Sequence, residues 1–249
     1  GAVEKHITET AFENGWVQPP QPVTERSESV GIIGAGPAGL AAADMLRQQG
    51  YQVTIYDRYD RVGGLLIYGI PGFKLEKHVV ERRHKLLVDG GVTFQLNVNI
   101  GTDRSFEDVR AAHDAVLIAT GVYKARDISV PGVGLGGVVP ALDYLTASNR
   151  KSLGDDVAAF ESGELNAEGR NVVVVGGGDT AMDCVRTAIR QNAKSVSCLY
   201  RRDRANMPGS QREVANAEAE GVVFKWLSAP QAFLGDNRVR AVQAQKIHL

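Results

Sequence analysis

Hydrophobic positions in this chain fall into short unbroken runs, alternating stretches and apolar pairs at helical spacing, and their order predicts the elements. A run at 30–33 ends on Gly34 and reads as a strand. The small-residue stretch behind it reads as a helix stopped at Gly50, and 52–56 reads as a second strand. Ahead of this unit, 3–12 predicts a short helix. Residues 74–89 predict another, with Val79, Val80, Leu86 and Leu87 at helical spacing before Gly90-Gly91. Residues 92–98 alternate like a strand, Ser105 to Asp108 resemble a helix cap, and 115–118 predict a buried strand. After a segment rich in proline and glycine (123–137), 141–148 reads as helical and 152–168 as a polar surface excursion. The opening pattern then returns. Residues 172–175 predict a fully buried strand, followed by a helix to Gln191 and a strand at 195–199. A helix (211–220), a strand (222–226) and a hairpin (232–247) turning at Gly235-Asp236-Asn237 complete the chain.

Two strand-turn-helix-strand units imply an α/β protein with two Rossmann-like domains, and the turns carry chemistry. Gly34, Gly36 and Gly39 occupy the G-x-G-x-x-G positions between strand and helix. Gly34 permits the tight turn and Gly36 lets backbone approach a pyrophosphate. Gly39, helped by Ala43, lets the helix lie close to the sheet, and the helix N-terminus offers free N–H groups to phosphate. Asp57 follows the second strand, where an acid hydrogen-bonds an adenosine ribose. The paired Gly63-Gly64 fits either an ordinary loop or a second close backbone approach, a pattern typical of flavin-binding domains. The apolar stretch Leu65-Leu66-Ile67-Tyr68-Gly69-Ile70-Pro71 could cover a flat aromatic ring, and Ala119-Thr120-Gly121 again admits a ligand at the sheet edge. The second turn, Gly176-Gly177-Gly178-Asp179-Thr180-Ala181, replaces the third glycine with Ala181, which moves the helix slightly outward. Val185 stands where Ala43 stood. Where the first unit has Asp57, the second has Tyr200-Arg201-Arg202. Two guanidinium groups can pair with a 2′-phosphate that an acid would repel, although Asp203 could neutralise one of them.

Composition narrows the class. The chain has 249 residues and 28 glycines, and 28 Lys+Arg offset 29 Asp+Glu to a net charge of −1, giving no reason to expect nucleic acid or an anionic membrane as partner. Nothing approaches a membrane-spanning apolar run, so a cytoplasmic location is expected. Cys184 and Cys198 form no C-x-x-C and are expected to be buried thiols, and the five histidines lack ligand spacing. Residues 1–29 read as a helix and a stiff connector through Pro19-Pro20-Gln21-Pro22, with Trp16 packing on the first domain. The first domain is expected over 30–126 and the second over 127–249.

Four segments carry a resemblance to a known family: Gly34-Ala35-Gly36-Pro37-Ala38-Gly39-Leu40, GGLLIYGIPGFKLEK from Gly63, GGGDTAMD from Gly176 and YRRDRANMP from Tyr200. They resemble the small, or beta, subunit of NADPH-dependent glutamate synthase. The reductase part of dihydropyrimidine dehydrogenase and NADPH-linked ferredoxin or sulfide oxidoreductases share these motifs. The resemblance implies a two-domain fold of the flavin disulfide-reductase type. FAD contacts fall on Gly34, Gly36, Pro37, Ala38, Asp57, Gly64, Leu65, Val98 and Thr120. NADPH contacts fall on Gly177, Gly178, Asp179, Thr180, Arg201 and Arg202. It further implies onward electron transfer through iron–sulfur clusters, held by a region absent from this sequence, to a large (alpha) subunit that makes glutamate. In that family the FAD domain is completed by a later segment, so the first domain is expected to be incomplete here. Two other readings use the same layout: a disulfide reductase, which would need a C-x-x-C beside the flavin, and a nucleotide-binding or assembly module without chemistry.

Overall fold

The computed structural model describes residues 2–123 and 128–248. The chain divides into two compact units, Gly1–Ile67 with Glu76–Val122, and Tyr68–Leu75 with Tyr123–Leu249. The expected boundary between 126 and 127 lies outside the described residues.

In the first unit, α1 (Ala2–Glu13) precedes β1 (Ser29–Ile33), α2 (Pro37–Gln48), β2 (Gln52–Tyr56), α3 (Leu65–Tyr68), α4 (Lys77–Asp89), β3 (Thr93–Gln95), α5 (Phe106–Ala112) and β4 (Ala115–Ile118). The strands form a parallel sheet in the order β3-β2-β1-β4. Parallel pairing aligns the carboxyl ends of all four strands on one edge, where ligands bind in open α/β sheets. Ile32, Leu40, Ala43, Ile55 and Leu87 are buried together, so α2 and α4 cover the sheet through side chains at the predicted spacing. Ser105 caps α5, its hydroxyl accepting from the Asp108 N–H at 3.0 Å.

The expected burial of β4 is not found: Leu117 is 40% and Ile118 63% exposed. As the end strand of its sheet, β4 has one free edge, and a short apolar run does not distinguish an end strand from a central one. Trp16 likewise does not dock; it is 70% exposed. Pro20 is the connector residue that packs, its ring lying where a Cβ on Gly90 would stand. Arg82 holds α1 instead, bonding both carboxylate oxygens of Glu9 at 2.6 and 2.7 Å while its guanidinium lies 3.9 Å from the Phe12 ring centroid.

The second unit contains α6 (Ala141–Ser152), α7 (Ala158–Glu161), β5 (Asn171–Val175), α8 (Asp179–Arg190), β6 (Ser195–Leu199), α9 (Gln211–Ala219), β7 (Val223–Lys225), β8 (Ser228–Gly235) and β9 (Val239–Lys246). β5, β6 and β7 make a parallel sheet in that order, and β8 pairs antiparallel with β9 in the predicted hairpin. Its core gathers Leu145, Met182, Val185, Cys198 and Val214. β5 is again an end strand, and Val173 is 45% exposed where full burial was expected. No helix among the described residues is long and apolar enough to cross a membrane.

The segment 68–75 belongs with this second unit and is anchored by charge. The Asn149 amide donates to the Tyr68 carbonyl at 2.9 Å, and the Arg150 guanidinium lies 4.4 Å from the Tyr68 ring centroid. Arg190 and Arg186 face the Phe73 ring at 3.9 and 4.9 Å. Lys74 donates to Asp183 at 2.7 Å and lies 3.6 Å from Glu213, which Arg186 bonds at 2.7 Å. Arg186 and Arg190 also hold Glu220, and those hydrogen bonds depress its carboxyl to about 2. Burial raises the Asp183 carboxyl while the Lys74 ammonium opposes that rise. Three cations and three carboxylates thus balance in a largely covered cluster, where deleting one partner leaves an uncompensated charge. Lys74→Met is expected to lower stability by about 2–3 kcal/mol, somewhat less than for a fully buried pair because the lysine is partly exposed. Urea unfolding measures it, and a loss under about 0.5 kcal/mol would place the cluster among solvated pairs.

Candidate nucleotide-binding site

The first glycine turn separates glycines the protein itself requires from one it does not. Gly34 has φ +114°, and a Cβ there would collide with the Ala119 carbonyl. On Gly39 a Cβ would strike the Gly34 carbonyl, so α2 can start this close to β1 only without a side chain. Gly36 is different. Its φ of −75° and ψ of −178° suit any residue, and a Cβ there would meet nothing within 4 Å. No neighbour within the protein demands glycine at this point, which leaves a space open to an incoming group. Gly36 also precedes α2 as an N-cap without a side-chain bond, with Pro37 and Ala38 as the first helical residues. The helix N-terminus therefore presents uncapped N–H groups to that space.

The other residues expected at this site converge on the same sheet edge. Asp57, at the end of β2, is 8% exposed. Its carboxylate accepts from the Ala35 N–H at 2.6 Å and the Tyr59 N–H at 2.9 Å. These bonds fix the acid against the turn and leave acceptor capacity for hydroxyl groups. Val98 donates its N–H to the Asp57 carbonyl at 2.9 Å, and Thr120 follows β4 beside Gly34. The Gly63 N–H donates to the Ala35 carbonyl at 2.9 Å, bringing Gly64 and Leu65 to the turn. Gly63 and Gly64 both have positive φ, and a Cβ on Gly63 would press on Val80. The first four residues of the apolar stretch that follows form the helix turn α3. Ile67 and Tyr68 are 1% and 2% exposed, so packing within the protein accounts for much of its apolar character.

The second turn repeats the logic with a larger clearance. Gly178 has φ −91° and ψ 176°, serves as N-cap of α8 without a side-chain bond, and has open space where a Cβ would stand. Gly177 is structural, since its Cβ would run into the Tyr200 ring. A Cβ on Gly176 would lie 3.5 Å from the Ala181 Cβ, an ordinary contact. The second helix thus accommodates a methyl where the first tolerates only hydrogen, in keeping with the outward shift predicted from Ala181. Asp179 and Thr180 are the first two residues of α8.

Arg201 and Arg202 follow β6 on the same edge and are exposed. Neither guanidinium has a hydrogen-bond or ion-pair partner among the described residues. Asp203, which could have neutralised one, pairs with neither: its Oδ1 accepts from the Asn206 N–H and side-chain amide, both at 2.8 Å. Sequence reasoning missed this brace, and also the Lys74 cluster. An Asp three positions before an Asn is a local turn signal that could have been read. Nothing local marks Lys74, whose partner Asp183 lies 109 positions away.

Both cysteines are buried and unpaired. Burial pushes each thiol up to about 12, and Cys198 donates to the Gly176 carbonyl beneath the second turn at 3.2 Å. Neither thiol is positioned or ionised for exchange chemistry. Among the described residues no group of three or more His, Cys, Asp or Glu side chains is placed to hold a metal ion.

Two parallel-sheet units with glycine turns at their carboxyl edges define a two-nucleotide oxidoreductase fold. The family model for pyridine nucleotide-disulphide oxidoreductases matches residues 28–248, and the chain belongs to that family. Over all 249 residues it is 66% identical to the glutamate synthase (NADPH) small chain of Azospirillum brasilense, covering 52% of that protein. It is 49% identical to the corresponding Halomonas elongata chain, again covering 52%. The chain spans 52–60% of the length of the first curated relatives it matches. Among solved structures, Mycobacterium tuberculosis FprA in complex with NADPH matches with a TM-score of 0.71 at 19% identity, over 89% of this chain and 64% of that one, a likeness of fold.

The glycine distinction is open to direct test. Gly39→Ala is expected to cost several kcal/mol, because its methyl would overlap backbone that cannot move aside. Gly36→Ala should change the thermal midpoint little, and equal losses for the two would refute the distinction. In the folded protein at pH 8 both cysteines should resist an aromatic disulfide reagent and react only on unfolding; prompt reaction of either would contradict their burial.

Proposed function

We propose that this chain is the nucleotide-binding part of an NADPH-dependent flavin oxidoreductase, with FAD on the first turn and NADPH on the second. The observation that carries this reading is the pair Gly36 and Gly178: two glycines with ordinary dihedrals and open space, each preceding an uncapped helix. A phosphate group brought against backbone N–H donors explains them both. The residues fit the two nucleotides differently. Asp57, held by two backbone bonds, suits ribose hydroxyls. The free Arg201 and Arg202 suit a 2′-phosphate.

When bound, FAD supplies the ring that accepts the hydride carried by NADPH, and that redox chemistry belongs to the cofactors. The chain's own residues contribute binding and orientation. Gly34, Gly36, Pro37 and Ala38 form the phosphate cradle, Asp57 and Val98 the nucleoside end, and Gly64, Leu65 and Thr120 the remaining edge. Gly177, Gly178 and Thr180 cradle the second pyrophosphate. The two buried thiols, raised well above the usual range, argue against a disulfide reductase.

The identity to glutamate synthase small chains supports a more specific assignment. The complete protein is read as the small subunit of an NADPH-dependent glutamate synthase. Its large-subunit partner receives the electrons for L-glutamate synthesis, and the iron–sulfur carriers lie on residues other than those of this chain.

Replacing both arginines, Arg201→Ala with Arg202→Ala, is expected to weaken NADPH binding by about 100-fold, the scale of two charge-assisted bonds, while NADH changes less than about threefold. Fluorescence titration measures both constants. Equal loss for the two nucleotides would remove the 2′-phosphate assignment. Gly36→Val should abolish flavin retention without unfolding the protein, and unchanged flavin content would show that the first turn holds something else.

A further inference from the structure

The loop after β6 is braced from within. Besides the Asp203–Asn206 bonds, the Tyr200 hydroxyl donates to the Asn206 carbonyl at 3.3 Å. The Gln211 amide donates to the Arg204 carbonyl at 3.0 Å, and Arg204 pairs with Glu218 at 2.9 Å. The Leu227 N–H bonds the Arg202 carbonyl at 3.1 Å. A loop held this firmly has preset the backbone from which the two free guanidinium groups project.

Two bonds join the loop to the phosphate turn. The Gly209 N–H donates to the Gly177 carbonyl at 2.9 Å, and the Ser210 N–H donates to the Asp179 carboxylate at 3.1 Å. The second is unexpected. Asp179 opens α8 beside Gly178, and a carboxylate near an incoming phosphate is electrostatically unfavourable. Resemblance alone assigned it a direct nucleotide contact, yet its observed partner is the loop.

We infer that Asp179 is a positioning residue for cofactor selection: by accepting from Ser210 it docks the 201–211 loop on the phosphate turn and so sets Arg201 and Arg202 for a 2′-phosphate. This inference rests on the NADPH reading above. It also explains an acid at a phosphate site, since its repulsion acts on both nucleotides alike whereas the loop it holds favours only the phosphorylated one.

The test is the ratio of NADPH to NADH affinity, measured by fluorescence titration of the flavin-loaded protein and its variants. Asp179→Ala should lower the ratio about tenfold, the scale of one hydrogen bond to a charged group. Asp179→Asn, which keeps an acceptor oxygen, should stay within about threefold of the parent. Ser210→Pro removes the donor from the other side, at a residue whose φ of −57° already suits proline, and should fall as far as Asp179→Ala. In the Arg201→Ala, Arg202→Ala background, Asp179→Ala should change the ratio no further, because the residues act as one unit. A parental ratio in Asp179→Ala, alongside a collapsed ratio in the double arginine variant, would overturn the inference and leave the NADPH reading standing. Asp179→Asn matching Asp179→Ala would assign the effect to charge and also overturn it. If the parent itself does not prefer NADPH, the underlying reading fails and the inference fails with it.

Discussion

The structure depends on how closely two stretches of backbone can approach at the carboxyl edge of a parallel sheet. At the first turn, Gly34 lies against the Ala119 carbonyl and Gly39 against the Gly34 carbonyl, and a single methyl at either position would push the elements apart. That contact brings the start of α2 to the end of β1 and sets where its unpaired N–H groups face. It also fixes Ala35, whose N–H holds Asp57 and whose carbonyl holds the Gly63 loop. One steric condition thus aligns the start of α2, Asp57 and the second glycine pair. Once it is met, Gly36 is left with space that no protein atom fills.

The second unit meets the same condition more loosely and relies on electrostatics. Ala181 and Val185 replace the smaller residues of the first helix, and α8, whose apolar face packs in the core, is also held by charge along its length. Asp179 holds the loop after β6, Asp183 holds Lys74, and Arg186 and Arg190 hold Glu213, Glu220 and the Phe73 ring. Burial alone would make these groups costly; their mutual pairing keeps each charge compensated and gives the helix a unique seat.

Much of this was legible in the chain because it is local. Strand and helix positions followed from apolar spacing, and 52–56 and 195–199 are observed with the predicted bounds. The glycine turns were readable because their glycines lie within a few residues of one another, between a strand and a helix. Exposure was harder to read: the apolar runs of β4 and β5 are the same whether a strand lies inside or at the end of its sheet, and only pairing reveals Ile118 and Val173 at the surface. Trp16 shows the same limit, since side-chain size invites burial but Pro20 has the shape that fits against Gly90. The Lys74 cluster was invisible for a different reason. Charge compensation links residues far apart in sequence, and a lysine after an apolar stretch looks like any solvated one.

Under the proposed function, a flavin on the first turn is reduced by a nicotinamide nucleotide carrying a 2′-phosphate on the second. An anaerobic titration of the FAD-loaded protein addresses it directly, following flavin absorbance as NADPH or NADH is added. Bleaching at a much lower concentration of NADPH than of NADH is the predicted result. A retained flavin that neither nucleotide bleaches, or that both bleach equally, would overturn the proposed function.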